Sequence, residues 1–185
     1  MDVARLVLIN GAPGAGKSTL CHRYVQGHPL TLALDIDVVR AMLGRWLDEP
    51  DESGLLARRM AVEMARVQLL AGRDVVIPQF LGRLEFVLVL QRLCDDVGAE
   101  FVEVVLLSDP QDAAERFTRR SAQPETAEHQ NAAALLERRG GLDALPGMYD
   151  RLLQVVAARP RTRVVLTVDG EVERAYHDLL ARIST

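Results

Sequence analysis

Nine residues near the start of the chain, Gly11-Ala12-Pro13-Gly14-Ala15-Gly16-Lys17-Ser18-Thr19, hold the side chains most able to do chemistry. Their spacing is GxxxxGK[ST]. Glycines let a backbone curl with several N–H groups pointing inward, and a following helix adds partial positive charge, so the segment suits a phosphate chain. Lys17 can place a compact ammonium on the β- and γ-phosphates, and the Ser18 hydroxyl can ligate Mg²⁺. Of the 22 basic residues, all but Lys17 are arginine. GC-rich coding bias explains why lysine is scarce, but not why the one lysine falls here.

A second set of candidates is Asp35 and Asp37 in Asp35-Ile36-Asp37, which closes the next apolar run. A phosphoryl acceptor needs a group that orients its hydroxyl and takes its proton, and another carboxylate can support the metal. Asp37 is expected in the first role and Asp35 in the second. The plainer alternative is that Asp37 only caps a helix over Asp37–Leu43 and Asp35 only ends a strand.

The elements that must position these groups alternate in type. Five strands are expected, at Arg5–Ile9, Thr31–Leu34, Asp74–Ile77, Glu100–Leu107 and Arg163–Val168, all apolar enough to be buried on both faces. Helices are expected at Lys17–Gln26, Ser53–Ala71, Leu84–Val97, and from the Ser108-Asp109-Pro110 start through Arg120. In the second of these, Leu56, Met60, Met64, Val67 and Ala71 form the expected core stripe, and Gly72 stops it. This is the pattern of an α/β protein on a parallel sheet, in which the carboxyl ends of strands form the ligand crevice. Both aspartates should then lie near the phosphates. Residues 121–147 turn polar, with one Ala/Leu-rich helix over Thr126–Arg139, and are the candidate lid of a single domain spanning 1–185.

Composition narrows the function classes. The chain has 185 residues, 49% hydrophobic content and a net charge of −4, so one compact domain is expected and a nucleic-acid partner is disfavoured. Cys21 and Cys94 fit a reducing cytoplasm rather than a disulfide framework. No apolar run suggests a signal peptide or a membrane span. His22, His28, His129 and His177 have no metal-ligand spacing.

These motifs resemble the P-loop kinases that include polynucleotide kinase, shikimate kinase, chloramphenicol phosphotransferase and zeta toxins. Asp37-Val38-Val39-Arg40 matches the DxxR of polynucleotide kinase, and Asp35 with Asp37 matches the DxD of shikimate kinase. Phe80-Leu81-Gly82 is similar to chloramphenicol phosphotransferase, and the layout is similar to tunicamycin-resistance proteins. The resemblance implies a P-loop NTPase fold with strand order 2-3-1-4-5, helices on both faces, and ATP and Mg²⁺ as cofactors. It also implies Arg116 beside adenine and Arg120 beside the transferring phosphoryl group, with Arg119 as a substitute. Arg40, Gln79 and Arg83 follow the second and third strands and are expected to face the acceptor. Trp46 could cover that acceptor or merely fill space, and Asp169-Gly170 is placed at the adenine edge.

One departure is chemical. The third strand runs Asp74-Val75-Val76-Ile77-Pro78-Gln79, with no carboxylate at its carboxyl end where much of the superfamily has one. The DxD precedent has Asp35 take over the metal. The expected activity is transfer of the γ-phosphoryl group of ATP to a hydroxyl of a small molecule such as an antibiotic, nucleoside or sugar. The alternatives are a nucleotide-binding or drug-sequestering protein without transfer, and a kinase of nucleic-acid 5′-hydroxyls.

Overall fold

The computed structural model describes residues 3–124 and 126–184, so positions 1, 2, 125 and 185 of the expected domain, the lid's residue 125 among them, lie outside the described residues. Five strands, β1 (Arg5–Gly11), β2 (Leu32–Ala33), β3 (Val75–Pro78), β4 (Glu100–Leu107) and β5 (Arg163–Leu166), form one parallel sheet in the order β2-β3-β1-β4-β5. The order matches the one implied by the resemblance. Its central strand, β1, carries the phosphate loop on its carboxyl end.

Side chains of β1 alternate between two cores, as pleating requires. Leu6 and Leu8 face α2 (Ile36–Ala41), α3 (Pro50–Leu70) and α4 (Leu84–Val97). Val7 and Ile9 face α1 (Lys17–Gly27) and α8 (Val172–Ile183) through Leu20, Tyr24, Leu179 and Ile183. A smaller apolar cluster of Phe117, Leu136, Leu145 and Met148 ties α5 (Pro110–Ala122), α6 (Ala127–Arg138) and α7 (Leu145–Ala157) together beyond the sheet. That third layer occupies the expected lid region. The lid boundary at 147 cuts into α7, which with α8 was not anticipated although both have helical spacing of apolar residues.

Two expectations about burial fail for physical reasons. β2 and β5 lie at the sheet edges and are short, so Leu166 and Val168 are exposed rather than buried on both faces. In α3 the buried stripe is Ser53, Ala57, Ala61, Ala65 and Leu69, spaced by four, while Leu56, Met60, Met64 and Val67 are exposed. Small side chains let α3 lie close against the sheet and α4; the larger set would overfill that gap. Hydrophobicity named the wrong face, and volume decided.

Candidate active site

The loop after β1 reverses through glycines that no other residue could replace without strain. Gly14 has φ of +83°, and a Cβ there would come within 2.1 Å of the Ala113 carbonyl oxygen on α5. Gly16 has φ of +91° and is the N-cap of α1. α5 is thus held directly against the tip of the loop, and Arg116 Nε donates to the Gly14 carbonyl at 2.9 Å.

Around this loop the cationic groups have few partners. Lys17 Nζ donates to the carbonyls of Gly11 (2.9 Å) and Ala12 (3.0 Å). Burial, then the charge of Arg120, pulls its ammonium down to about 8, against the opposing pull of Asp35 and Asp37. Both Nη atoms of Arg116 and the Nε of Arg120 are buried without a hydrogen-bond partner. Arg119 reaches Asp169 at 3.4 Å, linking α5 to the turn after β5 at the expected adenine edge. Three buried donor atoms on α5 and a desolvated ammonium converge on one cleft of about 1280 Å³. A phosphate chain supplies acceptors of the right charge for all of them.

Across the cleft, Asp35 is the N-cap of α2, its Oδ1 accepting from the Asp37 N–H at 2.9 Å. The capping alternative therefore falls on Asp35 and not on Asp37, which stands in the first turn. Burial, then the negative charge of Asp37, pushes the Asp35 carboxyl up to about 6, opposed by the amides of Asp37 and Val38 and by Lys17. A carboxylate beside Asp35 that raises the cost of ionising it makes the pair a site that suits a cation. With Ser18 lining the same cleft, they fit Mg²⁺ held by one or two protein oxygens with phosphates and water completing its shell. Among the described residues no cluster of three His, Cys, Asp or Glu could hold a metal alone, and this mode of binding needs none.

Gln79 stands just beyond β3, where the superfamily carboxylate was missed. Its Nε2 donates to Asp37 Oδ2 at 3.2 Å, while its Oε1 is buried without a partner. The Gln79 N–H donates to the Ile9 carbonyl at 3.1 Å, and the chain just beyond it is fixed by a residue not anticipated from sequence. Asn10, 1% exposed at the end of β1, donates from Nδ2 to the Leu81 carbonyl and accepts on Oδ1 from the Leu81 and Gly11 N–H groups. A polar amide directly after the apolar run Leu6–Ile9 and before the glycine loop was the available signal.

Arg40 lines the cleft, as expected. It is 2% exposed, with Nε donating to Ser53 Oγ at 3.0 Å and Nη2 to the Pro50 carbonyl. Its guanidinium lies 5.1 Å from the centre of the Trp46 ring, and Ser53 Oγ donates to the Trp46 carbonyl. Arg40 clamps α2 to the start of α3 at the edge of the cleft, and Trp46 packs against it. Arg83 lines the cleft from the N-cap of α4. Arg58 and Arg139, which the sequence did not single out, line it too.

A family model described as an AAA domain (AAA_33) matches residues 6–145. The chain belongs to this P-loop kinase-like family. Among solved structures, it is similar over its full length to the Mycobacterium tuberculosis APS kinase CysC in complex with AMPPNP and APS, at 21% identity, all of that chain covered and a TM-score of 0.62. It is also similar over its full length to a gluconokinase from Sinorhizobium meliloti 1021, at 15% identity, 94% of that chain covered and a TM-score of 0.61. At these identities the two establish the fold alone. No curated protein matches significantly. No helix among the described residues is long and apolar enough to cross a membrane.

Proposed function

We propose that this chain is an ATP- and Mg²⁺-dependent kinase that transfers the γ-phosphoryl group to a hydroxyl of a small molecule. The observation that carries this reading is the set of unpartnered donors on Arg116 and Arg120 converging with buried Lys17 on one side of a cleft, with Asp37 opposite. Lys17 and the N–H groups of the loop hold the phosphates, Arg120 pairs with the transferring phosphoryl group, and Arg116, which the resemblance put beside adenine, pairs with phosphate oxygens instead because its Nε is bonded to the Gly14 carbonyl of the loop. Ser18 and Asp35 would hold Mg²⁺, whose charge favours the developing negative charge on the transferred group. Asp37, oriented by Gln79, accepts the hydroxyl proton as the acceptor oxygen bonds to γ-phosphorus and the bond to the β-bridging oxygen breaks, releasing ADP. Little covalent chemistry falls to the protein; its part is positioning and charge.

The test is ADP release from ATP with a panel of hydroxyl compounds, using Lys17→Ala as the blank. Acceptor-stimulated release above the blank is expected. In Asp37→Asn, turnover should fall by roughly 10² to 10⁴ with ATP binding retained; unchanged turnover would remove the base assignment. Gln79 in place of a third-strand carboxylate favours a second reading, nucleotide binding without transfer. Tight nucleotide binding with no stimulated release from any acceptor would establish it.

A further inference from the structure

The cleft holds two groups of cations, and ATP accounts for only one. Lys17, Arg116 and Arg120 surround the phosphate loop. At the other end Arg58 of α3, Arg83 at the N-cap of α4 and Arg139 at the C-cap of α6 line the same cleft. None of these three makes an ion pair among the described residues. Arg58 is half-buried with its guanidinium 5.5 Å from the centre of the Phe86 ring.

The two groups have separate surroundings. The charges that act on Lys17 are Arg120, Asp35 and Asp37. Those that act on Arg58 are Arg139, Asp37, Arg83 and Glu85. Asp37 is common to both, and it lines the cleft together with Lys17, Arg58, Arg83 and Arg139. Burial, then the neighbouring charge of Arg139, pulls Arg58 below its ordinary range, an arrangement that like charges tolerate only at a cost and that an anion relieves. Such a group of guanidiniums drawn from three different elements is the arrangement suited to planar, bidentate recognition of a carboxylate or a phosphate.

We propose that the acceptor is a small hydroxyl-bearing molecule that also carries an anionic group, a carboxylate, phosphate or sulfate, held by Arg58, Arg83 and Arg139 while its hydroxyl lies at Asp37. The proposal rests on the kinase reading above. The anionic group itself does not react. It fixes the acceptor at one end so that the hydroxyl meets the γ-phosphorus at the other.

The experiment compares paired acceptors, hydroxy acids and sugar phosphates against their neutral amides or unphosphorylated parents, by acceptor-stimulated ADP release. The charged member should have a kcat/KM at least about tenfold higher. Arg139→Gln and Arg83→Gln should each raise its KM about tenfold with a much smaller change in KM for ATP, and Arg139→Lys should recover part of the loss. Arg139 and Arg83 are exposed, so their substitution should not disturb folding as Arg58→Gln could. A second readout needs no transfer: calorimetric titration of inorganic sulfate and phosphate into protein saturated with Mg²⁺ and a non-hydrolysable ATP analogue. Saturable binding, weakened about tenfold in the two variants, is expected.

Neutral acceptors used as well as charged ones, or variants that bind anions like the parent, would overturn the proposal. So would preference for an oligonucleotide 5′-hydroxyl with steeply salt-dependent binding. Anion binding that depends on these arginines, without transfer to any acceptor, would instead sink the kinase reading and keep the anion site.

Discussion

In the role proposed for it Lys17 must be charged, yet it is buried, and that conflict is measurable. Its ammonium is pulled from an ordinary 10.5 down to about 8. A lowered lysine loses its proton as pH rises through that value, so nucleotide affinity should fall above about pH 8 and hold below it. Titration of ADP in metal-free buffer across pH 7 to 9.5 reads this directly, and binding should take up protons on the alkaline side. The same residue discriminates shape from charge. Lys17 reaches two loop carbonyls with one nitrogen, and arginine would bring a broad planar fork into the same space. Lys17→Arg should lower turnover by about 100-fold or more in steady-state ADP release, although the charge is kept. Near-normal activity would leave the lone lysine to coding bias.

At the scale of elements, α3 shows how packing volume overrides hydrophobicity. Ala57, Ala61 and Ala65 are fully buried while larger apolar side chains on the same helix face outward. Ala61→Leu should therefore destabilise by about 1–3 kcal/mol through overpacking, whereas Val67→Ala on the exposed face should change stability by less than about 0.5 kcal/mol. Urea midpoints at constant m-value test the pair, and the opposite ranking would restore the stripe expected from sequence. The same helix start carries Ser53, which receives Arg40 and donates to the Trp46 carbonyl, so α2, the Trp46 segment and α3 are joined by side-chain hydrogen bonds. α5 is joined to the phosphate loop as closely, through Ala113 against Gly14 and the Arg116 bond to the Gly14 carbonyl.

Over the whole molecule, a chain of net charge −4 concentrates arginines along one cleft that runs from the phosphate loop to α6. A nucleotide bound as proposed would join α1, α5 and the loop between β1 and α1, so it should stabilise the fold as a unit. A Mg²⁺-bound ATP analogue at 100 times its Kd contributes about 2.7 kcal/mol. For a chain of this size that is roughly 5–10 °C in Tm, and the shift should vanish in Lys17→Ala. The phosphate loop, the alternation of strands and helices and the position of Asp37 were all legible in sequence, because each is set by residues adjacent along the chain: glycines that need positive φ, a strand before them, a helix after. The strand order followed from family likeness, and the sheet bears it out. What sequence could not decide depends on partners distant in the chain. That Arg40 is tied to Ser53 and Pro50 shows only once α3 packs beside α2, and Asn10 reads as a strand-end polar residue until Leu81 meets it. Arg58, Arg83 and Arg139 lie on three separate helices, and only the tertiary fold brings their charges to one wall. Local backbone geometry is written residue by residue, whereas the pairing or isolation of a charge is fixed only when distant elements come together and exclude water around it.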